Sequence, residues 1–373
     1  DENGMMLCKA TSSIQDPLVQ VLPRYHLCHA SDYSNFQQAW GLSMTKFQNP
    51  SLFMPYYSSH GPLNQMSTEE KKTIRRVLIV IHGANRNADD YFCSATAGVQ
   101  LQTKFRNEEV LVIAPRFMVA DDLPHDDDHN SILLQDKILQ WQDTPDGPWR
   151  YGANAIHPLS ARNISSFDVM DAFIEQIQND ASFVNLQLVT LAGHSSGGQF
   201  VQRWTLVSPY FVSSSGGVLT TMPERSSRIA NNFHMRAVVA NPSSYAYLTP
   251  LRYDPSTDHW LIPNEHNSQC PVSYNQWEWG LDVRSDETTP HYVRSVLEEF
   301  STNSSSYYEP LLKRFSDRNV IYLAGYKDRC NVSSSSSQQP YRHTWCQSHG
   351  LEVTCPDELQ GSNRWERSVR YME

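Results

Sequence analysis

Five short apolar runs punctuate an otherwise polar chain: 77–81, 109–115, 186–192, 236–240 and 320–324. Each has the length of a strand rather than a helix. The first, Val77-Leu78-Ile79-Val80-Ile81, has no polar alternation, as expected of a strand buried on both faces. Between the runs, apolar residues recur at helical spacing. Ser165-x-x-Asp168 is a capping box, followed by Met170, Phe173, Ile174 and Ile177 at i, i+3, i+4, i+7. Val293, Val296, Leu297 and Phe300 repeat that spacing after Pro290, and Tyr308, Leu311, Leu312 and Phe315 follow. Strands alternating with helices imply βαβ crossovers. The predicted class is therefore α/β, a mostly parallel central sheet with helices on both faces.

Residues 1–74 show no clean periodicity and read as N-terminal strands and loops wrapping the sheet edge, ending in Glu69-Glu70-Lys71-Lys72. Residues 75–373 then form one α/β domain. Within it, about 203–235 and 243–290 are long for connectors and rich in Ser, Trp, Tyr and Pro, so they are expected to fold over the carboxyl edge as a cap. Trp260, Tyr274, Trp277 and Trp279 in the second segment are read as cap core ahead of a stacking pocket.

Composition narrows the partners. Forty acidic against 30 basic residues give a net charge of -10 over 373 residues, with no basic run. That balance argues against nucleic acid or anionic membrane. No wholly apolar run exceeds five residues, so no membrane span is expected. A chain opening at Asp1 without Met reads as a processed, mature protein. Three sequons begin at Asn163, Asn303 and Asn331, whereas Asn241-Pro242-Ser243 is excluded by its proline. Seven cysteines (8, 28, 93, 270, 330, 346, 355) form no C-x-x-C pair and no zinc spacing. The combination favours a secreted glycoprotein with about three disulfides; the odd cysteine is either free or paired with another chain. A cytosolic protein with buried thiols is the alternative. The acidic stretch from Asp121 to His129 lacks the alternating spacing of a calcium loop and reads as solvated. No metal and no cofactor are expected.

The stretch from Leu188 to Gly198 carries the candidate chemistry. It is an apolar strand running into Gly193-His194-Ser195-Ser196-Gly197 and on into a helical pattern. Alone, G-x-S-x-G is as easily a serine in a structural turn. Between strand and helix it has the layout of a nucleophile elbow, whose tight turn strains the serine and lifts its Oγ clear of the sheet. Acyl transfer through serine further needs a base, an acid orienting that base, and donors for the oxyanion. Ser195 is the candidate nucleophile. The N–H of Ser196 and the N–H of Ala84, in the His82-Gly83-Ala84-Asn85 loop after the first core strand, are the candidate donors. His82 is read as tying down that loop, and His194 as pointing away from the nucleophile. Asp328, in Gly325-Tyr326-Lys327-Asp328 just past the fifth strand, is the candidate acid.

The strand–His-Gly loop, the Ser195 elbow and Asp328, in that order, resemble the α/β-hydrolase superfamily over most of 75–330. More narrowly, His82-Gly83-x-x-Arg86-x-Ala88-Asp89-Asp90-Tyr91-Phe92, Gly193 to Gln199, Asn241-Pro242-Ser243-Ser244-Tyr245 and Gln360-Gly361-x-Asn363-Arg364-x-Glu366-Arg367 look like a secreted, esterase-type subgroup. The resemblance implies an α/β-hydrolase fold, ester hydrolysis, and Ser195 and Asp328 as nucleophile and acid. In such proteins the base histidine follows one more helix and strand beyond the acid. Here a helix pattern (Trp365, Val369, Met372) has no strand after it, so the sheet reads as missing its last strand. His343 and His349 are the imidazoles after Asp328, and both precede that helix. The base then lies in one of these, beyond Glu373, or in a cleaved C-terminal fragment or partner polypeptide; otherwise catalysis has been lost. Two expectations follow. One is a secreted serine hydrolase acting on a small-molecule or lipid-like ester through an acyl-enzyme. The other is an inactive hydrolase-fold glycoprotein serving as an extracellular structural or recognition module.

Overall fold

The structure, a computed structural model, describes residues 52–123, 137–144, 147–211, 233–263, 272–282, 289–301, 308–329 and 354–373, together with strands β1 (Met5–Met6) and β2 (Cys28–His29), which pair antiparallel. Its centre is a six-stranded sheet. The strands are β3 (Tyr56–Ser58), β4 (Arg76–Ile81), β5 (Val110–Pro115), β6 (Leu188–His194), β7 (His234–Ala240) and β10 (Val320–Leu323), in the order β10-β7-β6-β4-β5-β3. Every pairing is parallel except that of β3 with β5. Two short strands, β8 (Arg252–Asp254) and β9 (His259–Leu261), make a separate antiparallel pair. All five predicted strands form, within two residues of the expected ends.

Side chains alternate across the sheet, and both faces are covered. Val77, Ile79 and Ile81 of β4, Leu111 and Ile113 of β5, and Val189 and Leu191 of β6 join one large core. Helices α3 (Ser166–Asn179) and α4 (Ser196–Val207) bury Met170, Phe173, Ile174, Ile177, Phe200, Val201 and Trp204 in that same core. Val80, Val110, Val112 and Ala114 point the other way, against Phe92 and Ala95 of α2 (Ala88–Leu101). Helices on both faces are thus observed. The predicted capping box also forms. Ser165 Oγ accepts from Phe167 N at 3.0 Å, and Asp168 accepts from Ser165 N at 3.0 Å, satisfying two of the N–H groups that a helix start leaves open.

The C-terminal half departs from apolar periodicity. α5 (His291–Ser301) buries Val293, Val296 and Leu297 as expected. In α6 (Tyr308–Ser316) Leu311 is buried but Leu312 is exposed. After the short α7 (Cys355–Glu358), α8 (Arg364–Met372) turns its polar side inward: Arg364, Arg367 and Ser368 are buried, whereas Met372 is exposed. The reason is hydrogen bonding. Arg367 donates to Gly361 O at 2.9 Å and to Ser243 O, Ser368 accepts from Tyr245 O–H at 2.8 Å, and Tyr371 stacks on Tyr245 with centroids 4.2 Å apart. A helix can bury guanidiniums where carbonyls and hydroxyls meet them.

Of the first expected cap segment, 203–207 belong to α4 and His234 opens β7; 212–232 lie outside the described residues. In the second segment Tyr274 and Trp277 are buried, Trp277 Nε1 donates to Tyr151 O at 2.7 Å, and Trp260 is exposed. Among the described residues no helix is long and apolar enough to cross a membrane. Of the residues before 75, those described form β3 on the sheet edge, α1 (Thr68–Thr73) and the separate β1–β2 pair.

Candidate active site

The order of the strands locates the crevice. The chain passes from β4 outward to β5, then returns across to β6 on the other side of β4, so the winding direction reverses between β4 and β6. Outside the carboxyl ends of the strands at such a switch point, α/β sheets leave room for a ligand. The His82–Asn85 loop leaves β4 there, and the Ser195 turn leaves β6.

Ser195 is strained. Its φ is 57° and ψ -121°, a backbone region costing a non-glycine residue about 1–3 kcal/mol. The surroundings hold it in place. Ser195 N donates to Ala240 O at 3.0 Å, and Gln199 N donates to Ser195 O at 3.0 Å as α4 begins. The glycines are dictated by backbone. A Cβ on Gly193 would lie 2.2 Å from Gly197 O, and one on Gly197 would lie 2.2 Å from Ile81 O. No side chain can sit at either distance, so strand and helix approach this closely only with glycine at both positions.

Ala84 and Ser196 line one cleft of about 330 Å³, together with Arg86, Arg150, Asp143 and Trp149. Neither N–H has a backbone partner among the described residues; that of Ser196 is one of the open donors at the start of α4. Beneath them, Phe117 and Trp149 stack 5.1 Å apart and 3° from parallel, with Phe200 against both.

His82 holds the loop after β4. Fully buried, it places Nδ1 2.8 Å from Gly83 O, while Nε2 accepts from Phe117 N at 2.9 Å. A backbone N–H can only donate, so the proton of the neutral ring is on Nδ1. Burial pushes its pKa down to about 4, which keeps the ring uncharged near neutrality. The structural reading of His82 therefore stands. Gly83 sits tightly on Tyr91, whose hydroxyl would be 2.9 Å from an added Cβ and lies 3.4 Å from His194 Nδ1.

Asp122, expected in a solvated loop, is instead an ion-pair centre. It receives Arg86 Nε at 2.6 Å and Arg116 at 3.6 Å, and its side chain is only 11% exposed. Two guanidiniums converging on one carboxylate outweigh hydration. The stretch from Pro124 to His129 lies outside the described residues. Among the described residues no group of three or more His, Cys, Asp or Glu is arranged to hold a metal ion.

Asp328 follows β10. The backbone turns at Gly325, where Asp328 N donates to Gly325 O at 2.9 Å, and Trp365 N donates to Asp328 O at 3.1 Å. Its carboxylate Oδ2 faces Asn241 Nδ2 at 3.4 Å and Arg364 at 3.6 Å. β7 separates the strands carrying Ser195 and Asp328, so their axes are ~10 Å apart. Asn241 and Arg364 were not singled out as functional residues in the sequence, although both stand in stretches conspicuous there. Among the described residues no histidine hydrogen-bonds Ser195 Oγ or Asp328. His343 and His349 lie outside them, as do Asn303 and Asn331; Asn163 is exposed.

No family model matches the chain, nor does any curated protein. Among solved structures, the chain is similar to poly(aspartic acid) hydrolase-1 from Sphingomonas sp. KT-1, with 18% identity over 86% of this chain and 78% of that one at a TM-score of 0.44. It is similar to poly(3-hydroxybutyrate) depolymerase from Bordetella parapertussis, with 18% identity over 87% and 73% at 0.44. A siderophore hydrolase from Aspergillus nidulans overlaps more loosely, with 15% identity over 73% and 87% at 0.22.

Proposed function

We propose that the chain is a secreted serine hydrolase of carboxylic esters. Ser195 attacks the ester carbonyl. The Ala84 and Ser196 N–H groups stabilise the tetrahedral oxyanion, and Asp328 holds a base histidine, contributed from outside the described residues, in the tautomer that takes the serine proton. The protonated base gives that proton to the departing alcohol as the ester C–O bond breaks, and water then hydrolyses the acyl-enzyme, freeing the acid and Ser195. The observation that carries this reading is the strained turn at Ser195, φ 57°, beside a cleft lined by Ala84 and Ser196. Strain of this kind persists only where its surroundings enforce it, and it concentrates at working sites. A cleft of about 330 Å³ is at the small end of ligand pockets and suits a compact acyl group. Ester rather than amide follows from the family resemblance of the motifs. Seven cysteines with no C-x-x-C pair and no zinc spacing support an oxidising compartment. The exposed sequon at Asn163 supports glycosylation.

The second reading, an idle fold kept as an extracellular module, is favoured by one observation: Asp328 faces Arg364 and Asn241, with no described imidazole beside it. A fluorophosphonate probe separates the two. Labelling of full-length protein at Ser195, lost in Ser195→Ala together with at least about 10³-fold of ester hydrolysis, is the expected result. A folded wild-type protein that takes up no probe would establish the idle module.

A further inference from the structure

Asp328 follows β10, which ends the strand order of the described sheet. Among the described residues β10 has a neighbour on one side only; it is four residues long and exposes Ile321 and Leu323. Nothing in that strand fixes the direction of the carboxylate that follows it. Two side chains do. The amide of Asn241 spans the Gly325–Asp328 turn: its Oδ1 accepts from Gly325 N at 2.5 Å, and its Nδ2 faces Asp328 Oδ2 at 3.4 Å. Asn241 holds a positive φ of 41°, and a Cβ on Gly325 would lie 2.6 Å from its Nδ2, so turn and amide are fitted to each other. From the other side comes Arg364, the first residue of α8. Its Nε donates to Ser243 Oγ at 3.2 Å, and its NH1 lies 3.6 Å from the same Oδ2. Trp365 N adds its bond to the Asp328 carbonyl.

Both contacts converge on one oxygen. Oδ1 has no partner among the described residues. A carboxylate that orients a histidine needs one oxygen for the ring N–H, and the other must be held so that the first does not rotate away. The geometry points to Arg364 as a positioning residue that, with Asn241, locks Asp328 through Oδ2 and leaves Oδ1 for the base. This rests on the reading of Asp328 as the acid. The guanidinium has a second effect through its charge, since a cation near the base disfavours the imidazolium and so lowers the pH at which the base becomes competent. The other cations on the turn, Lys327 and Arg329, are exposed, and Arg329 lies over the Tyr326 ring at 4.4 Å.

Arg367 is the natural control. It is buried on the same helix and bonds Gly361 O and Ser243 O without touching Asp328. In crystal structures of the full-length protein, Arg364→Gln is expected to release the Asp328 carboxylate from its pose, whereas Arg367→Gln leaves it in place. In ester hydrolysis, Arg364→Gln is expected to lower kcat on the order of 10–100-fold with little change in KM and to move the acid limb of kcat/KM to higher pH. Arg364→Lys, which keeps the charge, should restore the limb. Arg367→Gln should lower Tm and leave kcat alone. An unmoved carboxylate in Arg364→Gln, or equal kcat losses in both glutamine variants, would overturn the inference. Failure of the wild-type protein to label at Ser195 would instead count against the catalytic reading, while the carboxylate pose in Arg364→Gln would still test the lock.

Discussion

The candidate nucleophile and the candidate acid of this site stand on opposite kinds of support. Ser195 leaves β6, an interior strand paired on both sides, with six residues in register against β4 from Arg76↔Leu188 to Ile81↔Gly193. Its position is set by main chain packed on main chain, at distances where a single carbon does not fit. Asp328 leaves an edge strand whose Leu323 is 52% exposed, and its direction is set by the amide of Asn241 and the guanidinium of Arg364. Backbone geometry cannot be retuned by most substitutions, whereas side-chain geometry can. The first half of the site is rigid by construction, and the second is adjustable.

Glycine replacements break this comparison most directly. Gly197→Ala places a carbon 2.2 Å from the Ile81 carbonyl in the middle of the sheet, and it should cost about 3 kcal/mol or more, because neither strand nor helix can yield. Gly325→Ala meets only the end of the Asn241 side chain at 2.6 Å and should cost about 1 kcal/mol. Urea unfolding of both variants measures the gap; equal losses would erase the distinction.

A smaller effect, on the rigid half alone, comes from acid. His82 titrates near 4 when folded and near its ordinary value of about 6.5 when unfolded. Between those values the unfolded chain takes up a proton that the native one refuses, so stability falls as pH falls. The loss from this group should reach about 2 kcal/mol at pH 5 relative to pH 7. Unfolding of wild type and His82→Asn at the two pH values checks it, and the variant should show a flatter pH dependence. The smallest effect belongs to the edge. Ile321→Thr, on a residue 38% exposed, should shift stability by no more than about 0.5 kcal/mol, whereas Ile79→Ala in β4 should cost about 3 kcal/mol.

The same contrast explains what could be read from the chain beforehand. The core strands, the Ser165 capping box and the Ser195 elbow are local patterns, written in consecutive residues, and they form as expected. The turn at Asp328 is visible for the same reason. Its supports are not, because Asn241, Ser243 and Arg364 lie more than 80 residues or a whole helix away from what they touch, and no local period marks them. α8 misleads outright. Its apolar residues Trp365, Val369 and Met372 trace a stripe that is not the buried one, since Arg367 finds the carbonyls of Ser243 and Gly361 and Arg364 finds the Ser243 hydroxyl. Apolar periodicity locates a core only where burial is driven by removing hydrocarbon from water. Asp122 misleads likewise, because a run of acids gives no hint that Arg86 and Arg116 will meet one of them.

The amide hydrogens at positions 84 and 196 differ in kind from the side chains around them. They belong to the chain itself and not to any residue type, so every amino acid but proline would preserve them. Replacing either residue therefore leaves its donor in place, provided the new side chain fits the space around it. A substitution that spares Ser195 and the side chains around Asp328 accordingly cannot strip this cleft of its two donors unless it introduces proline there.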